Sequence, residues 1–223
     1  IDEGLAYISA TAEIRDVILT GGDPLLLNDA YLGEILNRIH QVDHVEMIRI
    51  GSRVPVSLPD RITPQLCRLL SHFRPLYLNT HFNHPRELTA ESAAACARLA
   101  DAGLPLGNQT VLLNGVNDSS GVMIALCRGL LKMRVRPYYL HHLDQARGTS
   151  HFRVPVERGL KIIAGMRGQV SGLGIPQYVI DPPGGEGKVA LLPENLLEIG
   201  DSIRVRTSSG VVVLPNQRRR EVF

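Results

Sequence analysis

Short aliphatic runs alternate along the chain with stretches in which apolar residues recur every three or four positions. Val17-Ile18-Leu19-Thr20, closed by Gly21-Gly22, predicts a buried strand. Residues 31–39 carry Leu32, Ile35, Leu36 and Ile39 at helical spacing, and residues 45–50 are strand-like. Thr63 fits an N-cap and Pro64 the first position of a helix through Leu70. Residues 76–78 predict a strand, and residues 89–102 an alanine-rich helix with Gly103 in the C′ place. Glu91 lies two residues past Thr89, so a capping box is not expected there. A strand over 106–113, interrupted by Asn108 and Gln109, precedes a helix over 122–133 and a strand over 135–140. A helix over 156–166 and a strand over 177–180 complete the series.

Six strands alternating with helices argue for parallel strands joined by helical crossovers, hence an α/β barrel or a doubly wound sheet. Polar residues follow strand after strand: Asp23, Arg53, Asn79 to His81, Asn108-Gln109, His141 to Asp144, and Asp181. A parallel barrel delivers every strand's C-terminal end to one mouth, whereas an open sheet needs such residues only at its switch point. The barrel is therefore expected, over residues 1–193. After Pro193 the character changes, and two apolar runs, 203–206 and 211–214, flank Ser208-Ser209-Gly210. That pattern predicts a C-terminal β-hairpin tail over residues 194–223.

Composition narrows the function classes. The 223 residues are 44% hydrophobic and 21% charged, which excludes a disordered chain. A net charge of +2 gives no footprint for nucleic acid, and Arg218-Arg219-Arg220 reads as a solvated tail. No apolar stretch approaches the roughly 20 residues of a membrane helix, and no signal peptide is visible. A cytoplasmic location is expected. The start at Ile1 suggests an incomplete or processed chain. Cys67, Cys96 and Cys127 show no metal-ligand spacing and sit among apolar neighbours, so they read as reduced core thiols.

Candidate chemistry gathers at the strand ends. Asp181-Pro182-Pro183-Gly184-Gly185-Glu186-Gly187-Lys188 shapes a loop that presents one lysine. Such a lysine can serve as a Schiff-base nucleophile or simply as an exposed turn residue. Val189 follows it, so the phosphate-loop order is not met. Gly21-Gly22-Asp23-Pro24 permits close backbone approach by a ligand, with Asp23 able to accept from an ammonium group. It also fits an ordinary turn with Asp23 as N-cap. Asp144 and Asp181 suit a cationic substrate, acid/base work or plain surface positions. His81, His84, His141, His142 and His151 lack the spacing of a zinc site.

Several long strings occur together in one order: VILTGGDPLLL, RIGSRVPV, NTHFNHPREL, PLGNQTVLLNGVND, RVRPYYL, HFRVPVERG and IDPPGGEGKVALLP. In order and spacing they resemble the lysine 2,3-aminomutase family over nearly all of residues 13–193. These are radical S-adenosylmethionine (SAM) enzymes with a partial α/β barrel. The resemblance implies that Lys188 holds pyridoxal 5′-phosphate (PLP), and that Gly21, Gly22 and Asp23 bind the amino group of SAM. It implies that His81 and Gln109 line the SAM pocket, and that Asp144 and Asp181 grip the distal ammonium of lysine. The implied reaction moves nitrogen from C2 to C3 of L-lysine, using a radical made from SAM by a reduced [4Fe-4S] cluster. An external electron donor and a homo-oligomeric complete form are expected with it. Arginine, ornithine or the lysine of a translation factor's pathway are alternative substrates, and a silent PLP- or amino-acid-binding fragment is the alternative to an enzyme. The PGGEGK form fits the free-lysine branch better. The family's CxxxCxxC cluster motif does not occur in the chain. It is expected upstream of Ile1, together with the first strand or strands of the barrel and the arginines for the PLP phosphate and substrate carboxylate. The chain alone is expected to be inactive. With no cysteine beyond Cys127, no zinc site is expected.

Overall fold

The computed structural model describes residues 1–144, 146–181, 187–191, 196–199, 202–207 and 210–215. Helix α1 (Asp2–Ala10) leads into β1 (Asp16–Leu19), α2 (Asp29–His40) and β2 (Met47–Gly51). The short α3 (Val54–Ser57) and α4 (Pro64–Ser71) precede β3 (Leu76–Thr80), α5 (Ala90–Asp101) and β4 (Leu106–Val111). Then come α6 (Ser120–Lys132), β5 (Arg136–His141), α7 (Val156–Met166), β6 (Gln177–Ile180) and β7 (Val189–Ala190). Strands β1 to β7 form one sheet in sequence order. Neighbours from β1 to β6 run parallel, and β7 returns antiparallel to β6. Consecutive parallel strands with one crossover helix after another give the partial barrel expected from the alternation.

Helical spacing in the sequence becomes one buried stripe per helix. Leu32, Ile35, Leu36 and Ile39 are the buried residues of α2, and Met123, Leu126, Cys127 and Leu130 those of α6. All three thiols lie in such stripes, and burial pushes Cys96 and Cys127 up to about 12, far from the thiolate a metal needs. Thr63 caps α4 by accepting from Leu66 N at 3.1 Å. At α5 the expectation was wrong. Ser92 stands at N3 and accepts from Thr89 N at 2.9 Å, while Thr89 Oγ1 accepts from Ser92 N at 3.2 Å. A serine hydroxyl closes the box that glutamate usually closes. Gly103, at φ +83°, ends the same helix, with its N–H on Ala100 O and that of Leu104 on Leu99 O.

The tail contains the expected hairpin, β9 (Ser202–Thr207) with β10 (Gly210–Pro215). A further strand, β8 (Leu196–Ile199), pairs antiparallel with β9 and makes a separate three-stranded sheet. Its turn residues Ser208 and Ser209 and the arginine run 218–220 lie outside the described residues. Among the described residues, no helix is long and apolar enough to cross a membrane.

Candidate functional site

The C-terminal ends of β1, β2 and β3 are tied together by one carboxylate and one guanidinium. Asp23 caps the turn after β1, its Oδ1 accepting from Leu25 N at 3.1 Å and from Ser52 Oγ at 2.7 Å. Its Oδ2 accepts from Arg53 N at 2.7 Å, beyond the end of β2. The Arg53 guanidinium donates to Glu87 Oε1 at 3.1 Å, and Glu87 Oε2 accepts from the backbone N–H groups of Asn83 and His84. The capping role weighed for Asp23 is thus real, and three of about four acceptor directions on its carboxylate are already used. Beside it the backbone is open. Gly21 stands at φ +113°, and a Cβ added to Gly21 or Gly22 would meet no atom within 4 Å. Nothing inside the described chain requires Gly22 to lack a side chain, so the open backbone there suits an external ligand.

His81 sits in the loop after β3, which is pinned from β4. Asn108 Oδ1 accepts from Phe82 N at 2.6 Å, and its Nδ2 donates to Phe82 O at 3.0 Å. Asn83 Oδ1 accepts from Val111 N at 2.8 Å. Asn108, Asn83, His84 and Glu87 therefore act as loop supports. Burial, Arg53 and His141 lower the His81 pKa, opposed by a hydrogen bond with the Gln109 backbone and by Asp23. His81, Gln109, Arg53 and Asp23 thus share one neighbourhood.

The second group forms where β5 and β6 end. Because β7 pairs antiparallel with β6, with Ile180 opposite Val189, the chain returns beside Asp181 just as it reaches Lys188. Lys188 Nζ lies 3.2 Å from Asp181 Oδ1. Asp181 Oδ2 faces His141 Nδ1 at 3.5 Å. His141 went unassigned in the sequence because it lacks metal spacing. Its ring is largely buried, its Nε2 has no partner among the described residues, and burial and Lys188 lower its pKa against the opposing pull of Asp181 and Asp144. Asp144 is exposed and reaches this group only through its charge on His141 and His142. Residues 182–186 of the glycine loop lie outside the described residues.

Lys188 and Gln109 line a trough of about 1020 Å³ on the concave face of the sheet, with Ile18, Arg49, Asn79 and Tyr139. Across it Arg49 grips Asp16 through two contacts, Nε to Oδ1 at 2.9 Å and Nη2 to Oδ2 at 2.7 Å. A bulge shapes the far wall. Asn108 pairs with Pro137 and Gln109 with Tyr139, so Tyr138 is the extra residue, and both phenols line the trough. Their hydroxyls are 3.0 Å apart. The sequence showed RPYYL as a run of letters; only the pairing register reveals that both rings share one face.

Lys188, at the edge of a large trough, fits a cofactor carrying an aldehyde, and the open Gly21-Gly22 backbone fits SAM. The cysteines do not fit an iron–sulfur cluster: each is buried in a different helix, and no three metal-ligating side chains gather among the described residues.

The sequence of the lysine-2,3-aminomutase family model matches residues 163–216, the stretch that carries Asp181 and Lys188. The L-lysine 2,3-aminomutase of Fusobacterium nucleatum subsp. nucleatum is 50% identical over 213 residues, covering 95% of this chain and 50% of that protein. Over nearly all of its length the chain is similar to L-lysine 2,3-aminomutases. A glutamate 2,3-aminomutase of Clostridioides difficile is 48% identical, over 96% of this chain and 51% of that protein. The chain spans about half the length of the curated relatives it matches. Among solved structures, a radical SAM methyltransferase from Sphaerobacter thermophilus superposes with a TM-score of 0.56 at 22% identity. That likeness covers 79% of this chain and 56% of the other, and shows that the partial barrel shares the fold of that radical SAM enzyme.

Proposed function

We propose that this chain forms the PLP and substrate side of a lysine 2,3-aminomutase, with part of its SAM pocket. The reaction is the interconversion of L-lysine and β-lysine by radical 1,2-amino migration. The observation that carries the lysine reading is the Asp181 carboxylate, which holds a primary ammonium, that of Lys188, at 3.2 Å within the molecule itself. The identity to L-lysine 2,3-aminomutases supports it. The glutamate enzyme's similar identity keeps a sister substrate as the second reading, and the pair Asp144 and Asp181 speaks against a carboxylate side chain at that end.

Each residue has a physical task in this reading. Lys188 is the nucleophile that anchors PLP, and Asp181 and Asp144 supply the negative charge that selects a cationic side chain. Asp23, Ser52 and Arg53 fix the Gly21-Gly22 turn, so the backbone there is set before SAM arrives. His81, kept neutral by burial and Arg53, and Gln109 offer uncharged hydrogen-bonding groups to the nucleoside end. When bound, PLP would supply a conjugated carbonyl that captures the migrating nitrogen, and SAM a hydrogen-abstracting radical. No step through a cluster is assigned to this chain's cysteines.

Two measurements on the full-length protein test the assignment. Lys188→Ala should abolish the visible absorbance of the lysine-bound cofactor; a persisting band would remove Lys188 from its role. Products formed from lysine, arginine, ornithine and glutamate should then be compared. Turnover of glutamate in preference to lysine would exclude the ammonium grip.

A further inference from the structure

The Asp181 carboxylate has one oxygen on each side of a divided environment. Oδ2 faces the largely buried ring of His141 at 3.5 Å, and Oδ1 is held at 3.2 Å by Lys188, which lines the trough. The geometry points to Lys188 as an internal occupant of the ammonium subsite: its Nζ and the distal ammonium of a substrate compete for Oδ1 of Asp181, so capture of Lys188 by PLP opens the subsite to substrate. This deepens the function proposed above and rests on it.

The charges give the reason. With Lys188 on Asp181 the pair is neutral, and an incoming cation meets an ammonium already in place. A second cation there would be repelled. Once Nζ is drawn to the cofactor, Asp181 loses its lysine partner, and its charge and that of Asp144, both felt at His141, attract a cation. The antiparallel return of β7 sets the distance, because it brings residues seven apart in sequence side by side. The lysine that binds the cofactor is thereby also a specificity element: cation binding and cofactor loading are coupled through one oxygen atom.

The test uses ε-dimethylaminocaproate, which keeps the carboxylate and distal cation of lysine. Its tertiary nitrogen cannot condense with a carbonyl. Its affinity is measured by titration calorimetry on full-length protein in three forms: wild type without PLP, wild type with PLP, and Lys188→Met without PLP. The last two should bind the probe roughly three- to fivefold more tightly than the first, the range of a partly exposed ion pair. In an Asp181→Asn background the three forms should bind alike. Equal affinity in all three forms with Asp181 intact overturns the inference, as does a gain that survives Asp181→Asn. The comparison of wild type with and without PLP needs no variant, so a misfolded Lys188→Met protein leaves the test decisive. The visible band separates the two levels. Its absence from wild type with PLP takes the cofactor reading down, while equal affinities with the band present take down only the competition for Oδ1.

Discussion

At the scale of single residues, two adjacent glycines do different work. Gly21 needs its freedom for backbone reasons, since φ +113° is strained for any residue with a Cβ. Gly22 has no positive φ and no close neighbour, so the fold does not require it. Gly22→Ala should leave stability within about 0.5 kcal/mol of wild type, the usual range for a substitution that meets nothing. The same methyl group enters the space where a ligand would approach, so SAM affinity should fall on the order of tenfold, or about 1.4 kcal/mol. Gly21→Ala should instead cost about 1 kcal/mol or more in folding. Chemical denaturation and SAM titration of both variants check the contrast. Equal loss of SAM affinity and of stability in Gly22→Ala would mean that the turn, not the ligand, demands that glycine.

At the scale of elements, local periodicity was legible because each helix and strand buries one face. The stripe Leu32, Ile35, Leu36 and Ile39, and the run ending at Gly21-Gly22, carry their own evidence. What depends on pairing between distant segments was not legible. The bulge at Tyr138, the return of β7 and the third tail strand β8 are set by register, which no window of sequence contains. The site followed the same division. Lys188, Asp181 and Asp144 stood out through family resemblance, whereas His141 and the Asp23–Arg53–Glu87 chain emerged only from contacts between loops. The α5 cap is a smaller case, missed because serine is not the usual residue at N3. Ser92 Oγ accepts from Thr89 N and donates to Glu87 O at 2.9 Å in a fully buried position. Ser92→Ala should therefore destabilise the protein by about 1 kcal/mol. The denaturation midpoint should fall with the cofactor's visible band unchanged. An unaltered midpoint would show that the reciprocal bond contributes nothing.

At the scale of the whole molecule, the mouth of the barrel is a cluster of histidines held neutral. Burial lowers the pKa of His81, His141 and His142; Arg53 and His141 add to the effect at His81, and Lys188 adds to it at His141. A histidine whose folded pKa is depressed binds fewer protons in the folded state than in the unfolded one, so stability rises with pH in that window. The contribution is fully present above the ordinary value of 6.5 and is lost as pH falls through the depressed folded values. The melting temperature should therefore fall between about pH 6.5 and pH 5, ahead of the carboxylates' own titration. His141→Gln keeps an amide donor towards Asp181 but cannot take up a proton, so its slope over that interval should be shallower. Identical slopes would place the acid sensitivity elsewhere. Protonated His141 would also stand beside Lys188 and facing Asp181 Oδ2, adding positive charge to the proposed ammonium subsite. Binding of a cationic amino acid should accordingly weaken over the same interval in wild type, and weaken less in His141→Gln, tying the fold's acid sensitivity and the site's charge selection to one ring.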